Sequence, residues 1–110
     1  MTVNQALREA ILPLVPVCEP DDYSGDAPEY CTFTYDDQPT FFADGVPFLV
    51  EKSIELNWYL PNGVDPINKK KQICNAIVAA GFSFPVISNL SDDVSQHYLY
   101  EFSWFNTSIE

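Results

Sequence analysis

The carboxylates of this chain gather in short clusters, and those clusters are the first places to look for chemistry. Asp21, Asp22 and Asp26 share one segment, Asp36 and Asp37 a second, and Asp92 and Asp93 a third. Oxygen ligands of this kind suit hard cations such as calcium, but the D-x-D-x-D-G-x5-E spacing of a dedicated calcium loop is absent. A glycosidase pair of carboxylates needs a deep cleft, which a small chain with few loops is poorly equipped to build. Solvated turn carboxylates are the expectation. The single histidine, His97, has no cysteine or carboxylate at metal-ligand spacing beside it, so it is expected at the surface or at an interface. No serine sits in a G-x-S-x-G elbow, and four glycines build no loop that could cradle phosphate. No catalytic residue, no metal ligand and no cofactor is therefore assigned, and the chain is expected not to be an enzyme.

The cations are fewer and more concentrated. Lys69, Lys70 and Lys71 hold three of the five positive charges, with Arg8 and Lys52 elsewhere. Their place in the first turns of a helix opposes the macrodipole, which leaves two readings: a partner carboxylate keeps them there, or they form a solvated face that aids solubility. The cysteines Cys18, Cys31 and Cys74 are odd in number, widely spaced and without a C-x-x-C pair. Reduced, buried thiols are expected, with a bridge from Cys18 to Cys31 as the alternative in an oxidising setting. Aromatic residues at 41, 42, 48, 58, 59 and 98 to 104 exceed what one face of a small sheet hides easily, and surplus aromatic surface on an acidic domain points to protein partners.

The elements that must position these residues are legible from periodicity. In 50–60, Val50, Ile54, Leu56, Trp58 and Leu60 face one way and Glu51, Ser53, Glu55 and Asn57 the other, the pattern of a half-buried strand. After a Pro-bearing loop, Ile73, Cys74, Ile77 and Val78 recur at helical spacing. That predicts a helix with Asp65 as N-cap and Pro66 at its first position, running to about Ala80, with Gly81 at its C-terminal cap. A first helix is expected over 2–12, where Thr2 and Gln5 have the form of a capping box and Pro13 closes the run. Residues 14–18 are expected as an edge strand and 19–29 as a mobile, turn-rich loop. Residues 30–35 read as a strand entering a turn at 36–39. Residues 40–43 run outward to a turn at Asp44 and Gly45, and 46–48 lead into the long strand. A short or edge strand over 82–87, a polar loop over 88–96 and a last strand over 97–105 complete the chain. Tyr98, Tyr100, Phe102 and Trp104 share one face of that last strand.

The fold class expected is α+β: one domain over 1–110 with a small mixed, mainly antiparallel sheet and two helices on one face. The chain's 110 residues suit a single core, and 46% hydrophobic content suffices to bury one. A net charge of −11 opposes binding to phosphate backbones and anionic lipids. The opening residues lack the pattern of a signal peptide, and no apolar run reaches the roughly 20 residues that span a bilayer, so a cytosolic site without membrane contact is expected.

Taken together, the residues 30–35 followed by Pro39 and the 42–45 turn, the strand 54–59, the helix end Ala79-Ala80-Gly81-Phe82 and the closing 97–102 resemble the tail-completion, or tail-terminator, proteins of long-tailed bacteriophages. The likeness covers nearly the whole chain. It implies a non-enzymatic virion protein that forms a ring, typically hexameric, on the tail tube, contacting the major tail protein and the head connector while DNA passes through without specific binding. It places the protein in the virion tail, and in the host cytoplasm during assembly. Lys69, Lys70, Lys71, Asp21, Asp22, Asp26, Phe41 and Phe42 are the residues expected at subunit or partner contacts. The chain departs from the family in its wide acidic, proline-bearing loop at 19–29 and in Pro85. The alternative from another class is a monomeric acidic inhibitor or DNA mimic that binds a basic protein; a small hydrolase ranks third.

Overall fold

A computed structural model describes residues 2–43 and 45–106, without the side chains of 39–43, 46–48 and 106. The elements run α1 (Val3–Ile11), β1 (Cys18–Pro20), β2 (Tyr30–Ala43), β3 (Val46–Pro61), α2 (Ile67–Ala79), β4 (Val86–Asn89) and β5 (Ser95–Asn106). The strands form one sheet in the order β1-β2-β3-β5-β4, antiparallel except where β1 runs parallel to β2. This is the expected α+β class.

The alternation read in β3 sets the two faces. Ile54, Leu56, Trp58 and Leu60 are buried, and register places Phe33 and Phe102 in the same layer, opposite Leu56 and Ile54 respectively. Both helices cover this face: Val3, Leu7 and Ile11 of α1 and Ile73, Cys74 and Ile77 of α2 join one core with those strand residues. Each large apolar side chain removed from water in this way contributes roughly 1.5–3 kcal/mol.

The helix ends follow local chemistry. Thr2 Oγ1 accepts the Gln5 amide at 3.2 Å and Gln5 Oε1 accepts the Thr2 amide at 3.0 Å, a complete capping box. At the end of α2, Gly81 takes φ +99°, a left-handed conformation that glycine adopts without a Cβ penalty, and the Phe82 amide reaches back to the Ile77 carbonyl at 3.3 Å. At its start, Asp65 Oδ1 accepts the Ile67 amide at 3.0 Å, so the helix begins one residue later than the sequence pattern places it.

Several expectations need correction. The edge strand lies at Cys18–Pro20 rather than 14–18, because Leu14 and Val15 continue the turn that ends α1, their amides bonding the Ile11 carbonyl. Residues 36–39 form no turn. β2 continues through them to Ala43, paired with β3 through Asp37↔Lys52 and Pro39↔Val50. A strand accepts Asp and Pro there because β1 covers only Cys31 to Phe33, leaving β2 an edge strand beyond that point, and the register shifts just after Pro39. β4 occupies Val86–Asn89, later than 82–87, since Phe82 is taken into the core by the α2 cap. Val78 is 42% exposed and does not share the buried face of Ile73, Cys74 and Ile77. Gly45 stands in the predicted hairpin turn with positive φ, whereas Asp44 lies outside the described residues.

Candidate functional site

The structure divides the predicted contact residues between the two faces of the sheet. On the helix face, Lys69 Nζ pairs with Glu29 Oε1 at 3.1 Å, and Glu29 Oε2 accepts the indole N–H of Trp58 at 3.0 Å. Glu29 thus supplies the negative charge that the first turns of α2 require and caps a buried tryptophan at once. Lys70 lies over the Tyr98 ring, 5.0 Å from its centroid, and its backbone carbonyl accepts the Tyr100 hydroxyl at 3.0 Å. Lys71 is exposed. The lysine cluster is therefore not a uniform outward patch: two of its three members are engaged within the chain.

The segment 21–29 carries more internal contacts than a mobile loop would. The Asp21 amide bonds the Phe33 carbonyl at 2.8 Å with Asp21 at φ +66°, and the Ala27 amide donates to the Tyr23 hydroxyl at 3.0 Å. From this loop Tyr23 folds over the outer face and lies against Tyr30, with ring centroids 4.9 Å apart and the ring planes tilted by 44°. Tyr30 stacks on Tyr59 at 4.8 Å and Tyr59 on His97 at 4.2 Å, so three stacked rings from β2, β3 and β5, with Tyr23 of the loop tilted against their end, make one continuous row of ring contacts. Burial raises the Tyr59 pKa, with Tyr30 adding to the effect, and burial lowers that of His97, against an opposing pull from Asp92. His97 Nε2 also meets Asn57 Oδ1 at 2.7 Å.

Under the loop, Asp21, Asp22, Tyr23, Tyr30, Thr32 and Tyr59 line a concavity of about 170 Å³. Asp26 is exposed and does not line it. Further along the same face a groove of about 410 Å³ has Asp36, Glu55 and Glu101 among its walls. Glu55 and Glu101 are direct cross-strand partners, an arrangement of like charges that costs stability. Asp92, in the loop before β5, accepts the Val94 and Ser95 amides at 2.8 and 3.0 Å, which lower its pKa. Phe41 and Phe42 belong to the β2 backbone, but their side chains lie outside those described. Among the described residues no set of three or more His, Cys, Asp or Glu is arranged to hold a metal ion, and no helix is long and apolar enough to cross a membrane.

Besides the row of ring contacts, two features are absent from the sequence-based expectations. Lys52, fully buried on the helix face of β3, pairs with Asp37 of β2 at 2.6 Å. The signal was present, since Lys52 shares the parity of Val50 and Ile54. The second is the β4 margin. Phe84 (76% exposed), Val86, Leu90 and Val94 (85% exposed) cluster along the last strand of the sheet and the turns at its ends. Neither the scan of protein-family models nor the search of curated proteins returned a match to the chain.

Proposed function

We propose that this protein is a non-enzymatic structural component of a phage virion, completing the tail tube and joining it to the head connector as a member of a ring. The observation that carries the assembly half of this reading is the β4 margin. An edge strand offers unpaired backbone groups to any approaching strand, and proteins usually guard such edges with charge, proline or brevity. β1, at the opposite edge, is guarded in this way, with Glu19 and Pro20 in a three-residue strand. β4 is also short, four residues after Pro85, but it carries no charge from Val86 to Asn89 and is flanked by exposed Phe84 and Leu90. Such an edge suits addition of a strand or an apolar surface from a neighbour. A head-to-tail ring requires two different patches on each subunit, and β4 is one of them. The virion role itself rests on the family resemblance.

The test is genetic. Phage lacking the protein are expected to yield heads and tails that do not join, or tails of uncontrolled length, and Val86→Lys is expected to reproduce that phenotype from a folded subunit. Normal infectious particles from the deletion would sink the assignment.

One observation favours a second reading, an acidic monomer that occupies the binding groove of a basic protein. The outer face keeps Glu55 opposite Glu101, beside Asp36, without a cation among the residues lining that groove. Sedimentation separates the two: self-association that Val86→Lys reverses supports the ring, whereas a strict monomer that binds a basic partner supports the mimic.

A further inference from the structure

Cys18 of β1 and Cys31 of β2 are direct partners in the parallel register that joins the two strands. Both are fully buried and belong to the core beneath the helices. Cα atoms on neighbouring strands stand about 4.8 Å apart, within the roughly 4.4–6.8 Å that a disulfide spans. The thiols also sense each other: Cys18 adds to the rise that burial imposes on the Cys31 pKa, an effect in which Cys74 of α2 takes no part. Register and burial thus single out one pair among those the three free cysteines allow.

Access, rather than alignment, keeps the pair apart. Exchange needs a thiolate that a disulfide can reach, and burial holds both cysteines protonated and out of contact with solvent. β1 is the way in. It is a three-residue strand at the margin of the sheet, and the bonds from the Cys31 amide to the Val17 carbonyl and from the Asp21 amide to the Phe33 carbonyl, each 2.8 Å, fasten it to β2. Lifting so short an edge strand uncovers both thiols together, at a cost below that of global unfolding. We infer that Cys18 and Cys31 form a latent clasp: thiols while the chain is in reducing surroundings, and a disulfide after it meets a small-molecule disulfide. One cysteine thiolate attacks that disulfide and expels one half as a thiol; its partner then attacks the mixed disulfide and expels the other half. The two protein thiols are oxidised, the small disulfide is reduced to two thiols, and no other reactant is consumed. The bond closes 19–30 into a covalent loop and so tethers Glu29, whose carboxylate holds Lys69 and the Trp58 indole. The timing alone rests on the virion role proposed above, in which the subunit is assembled in a reducing cytoplasm and the released particle meets oxidising surroundings.

The test uses the full chain, purified in the reduced state and incubated with oxidised glutathione under native conditions at mildly alkaline pH, then denatured, alkylated and measured by mass spectrometry. Of the three cysteines only Cys74 should be alkylated, with the mass lowered by two hydrogens and a peptide linking Cys18 to Cys31. Cys18→Ala should leave both remaining cysteines open to alkylation, and Cys74→Ala should leave none. The oxidised chain should melt roughly 5 °C or more above the reduced one, because cross-linking a loop of about 15 residues restricts the unfolded chain. Alkylation of every cysteine after prolonged incubation, a persistent glutathione adduct, or a link to Cys74 would each overturn the pair. An unchanged or lowered melting midpoint would overturn its action as a clasp. A bond that forms in the isolated chain but stays absent from released particles would overturn the timing and not the pair, and the virion role is decided separately by the phage that lack the protein.

Discussion

Buried ionisable side chains give the sharpest expectations at the scale of single residues. Lys52 is sealed in the helix-facing layer with Asp37 as its ion-pair partner. Removing one partner strands a buried charge, whereas replacing both with apolar groups restores a dry core. Asp37→Ala is expected to cost roughly 3 kcal/mol in urea unfolding, while the double change Lys52→Met with Asp37→Leu is expected to be neutral or stabilising; equal losses in both would refute this account of the pair. Cysteines give the pH dependence. Burial pushes the Cys18 thiol up to about 12, raises Cys31 well above its ordinary value, and Tyr100 is raised by the same cause. A group whose folded pKa lies above its unfolded one holds the proton more tightly in the native state, so its stabilising effect is complete below the unfolded value and fades as pH rises through the folded one. For Cys18 that window runs from 9.0 to about 12, and the unfolding free energy should fall there by about 1.4 kcal/mol per pH unit for each such group. A flat profile from pH 9 to 11 in this window would contradict it. All three thiols are free and buried, so iodoacetamide at neutral pH should leave the native protein unmodified and label three cysteines after denaturation without reductant.

At the scale of elements, α2 shows both what periodicity conveys and where it stops. Helical spacing correctly places Ile73, Cys74 and Ile77 in the core, because one face of a helix must bury them against β3. It also included Val78, which turns to solvent, since spacing alone cannot say how wide a stripe the sheet will cover. Ile77→Asp is therefore expected to abolish folding, at a cost of several kcal/mol, and Val78→Asp to shift the melting midpoint little. If the two behaved alike, the docking of α2 described above would be wrong. The long β2 strand was misread at 36–39 for a related reason. Asp, Gln and Pro are turn residues by local preference, but a strand whose outer edge is open and whose inner neighbour offers Lys52 accommodates them. The row of ring contacts from Tyr23 through Tyr30 and Tyr59 to His97 is out of reach of sequence patterns altogether. Its alignment depends on the register of three strands and on a loop folding back, and neither is encoded in the spacing within any one segment.

Across the whole molecule, the principal extents of 55, 26 and 24 Å describe a rod rather than a ball, and the β2–β3 hairpin accounts for its length, since β3 continues past Val50, where its pairing with β5 ends. The internal engagement of Lys69 and Lys70 changes how the lysine cluster should be probed. Reversing all three lysines to glutamate would break the Glu29 contact and the Tyr98 contact together with any external one. Lys71→Glu alone is the cleaner substitution: weakened assembly of a normally folded subunit is the outcome expected if the cluster meets a neighbour, and unaffected assembly would assign its role to the interior.

The strand order also has a consequence in time. β2 and β3 are joined by a tight hairpin, so their pairing closes a short loop, whereas β5 enters between β3 and β4 only by bringing Phe102 to Ile54 across the whole of α2. Loop-closure entropy places the first event early and the second late. Conservative truncations along Phe33 and Leu56 are therefore expected to slow folding, and truncations at Tyr100 and Phe102 chiefly to speed unfolding, in stopped-flow measurements. Until β5 arrives, β3 presents a long open flank and β4 has no neighbour at all, so the slowest step of folding is also the interval in which this chain is most exposed to pairing with the wrong strand.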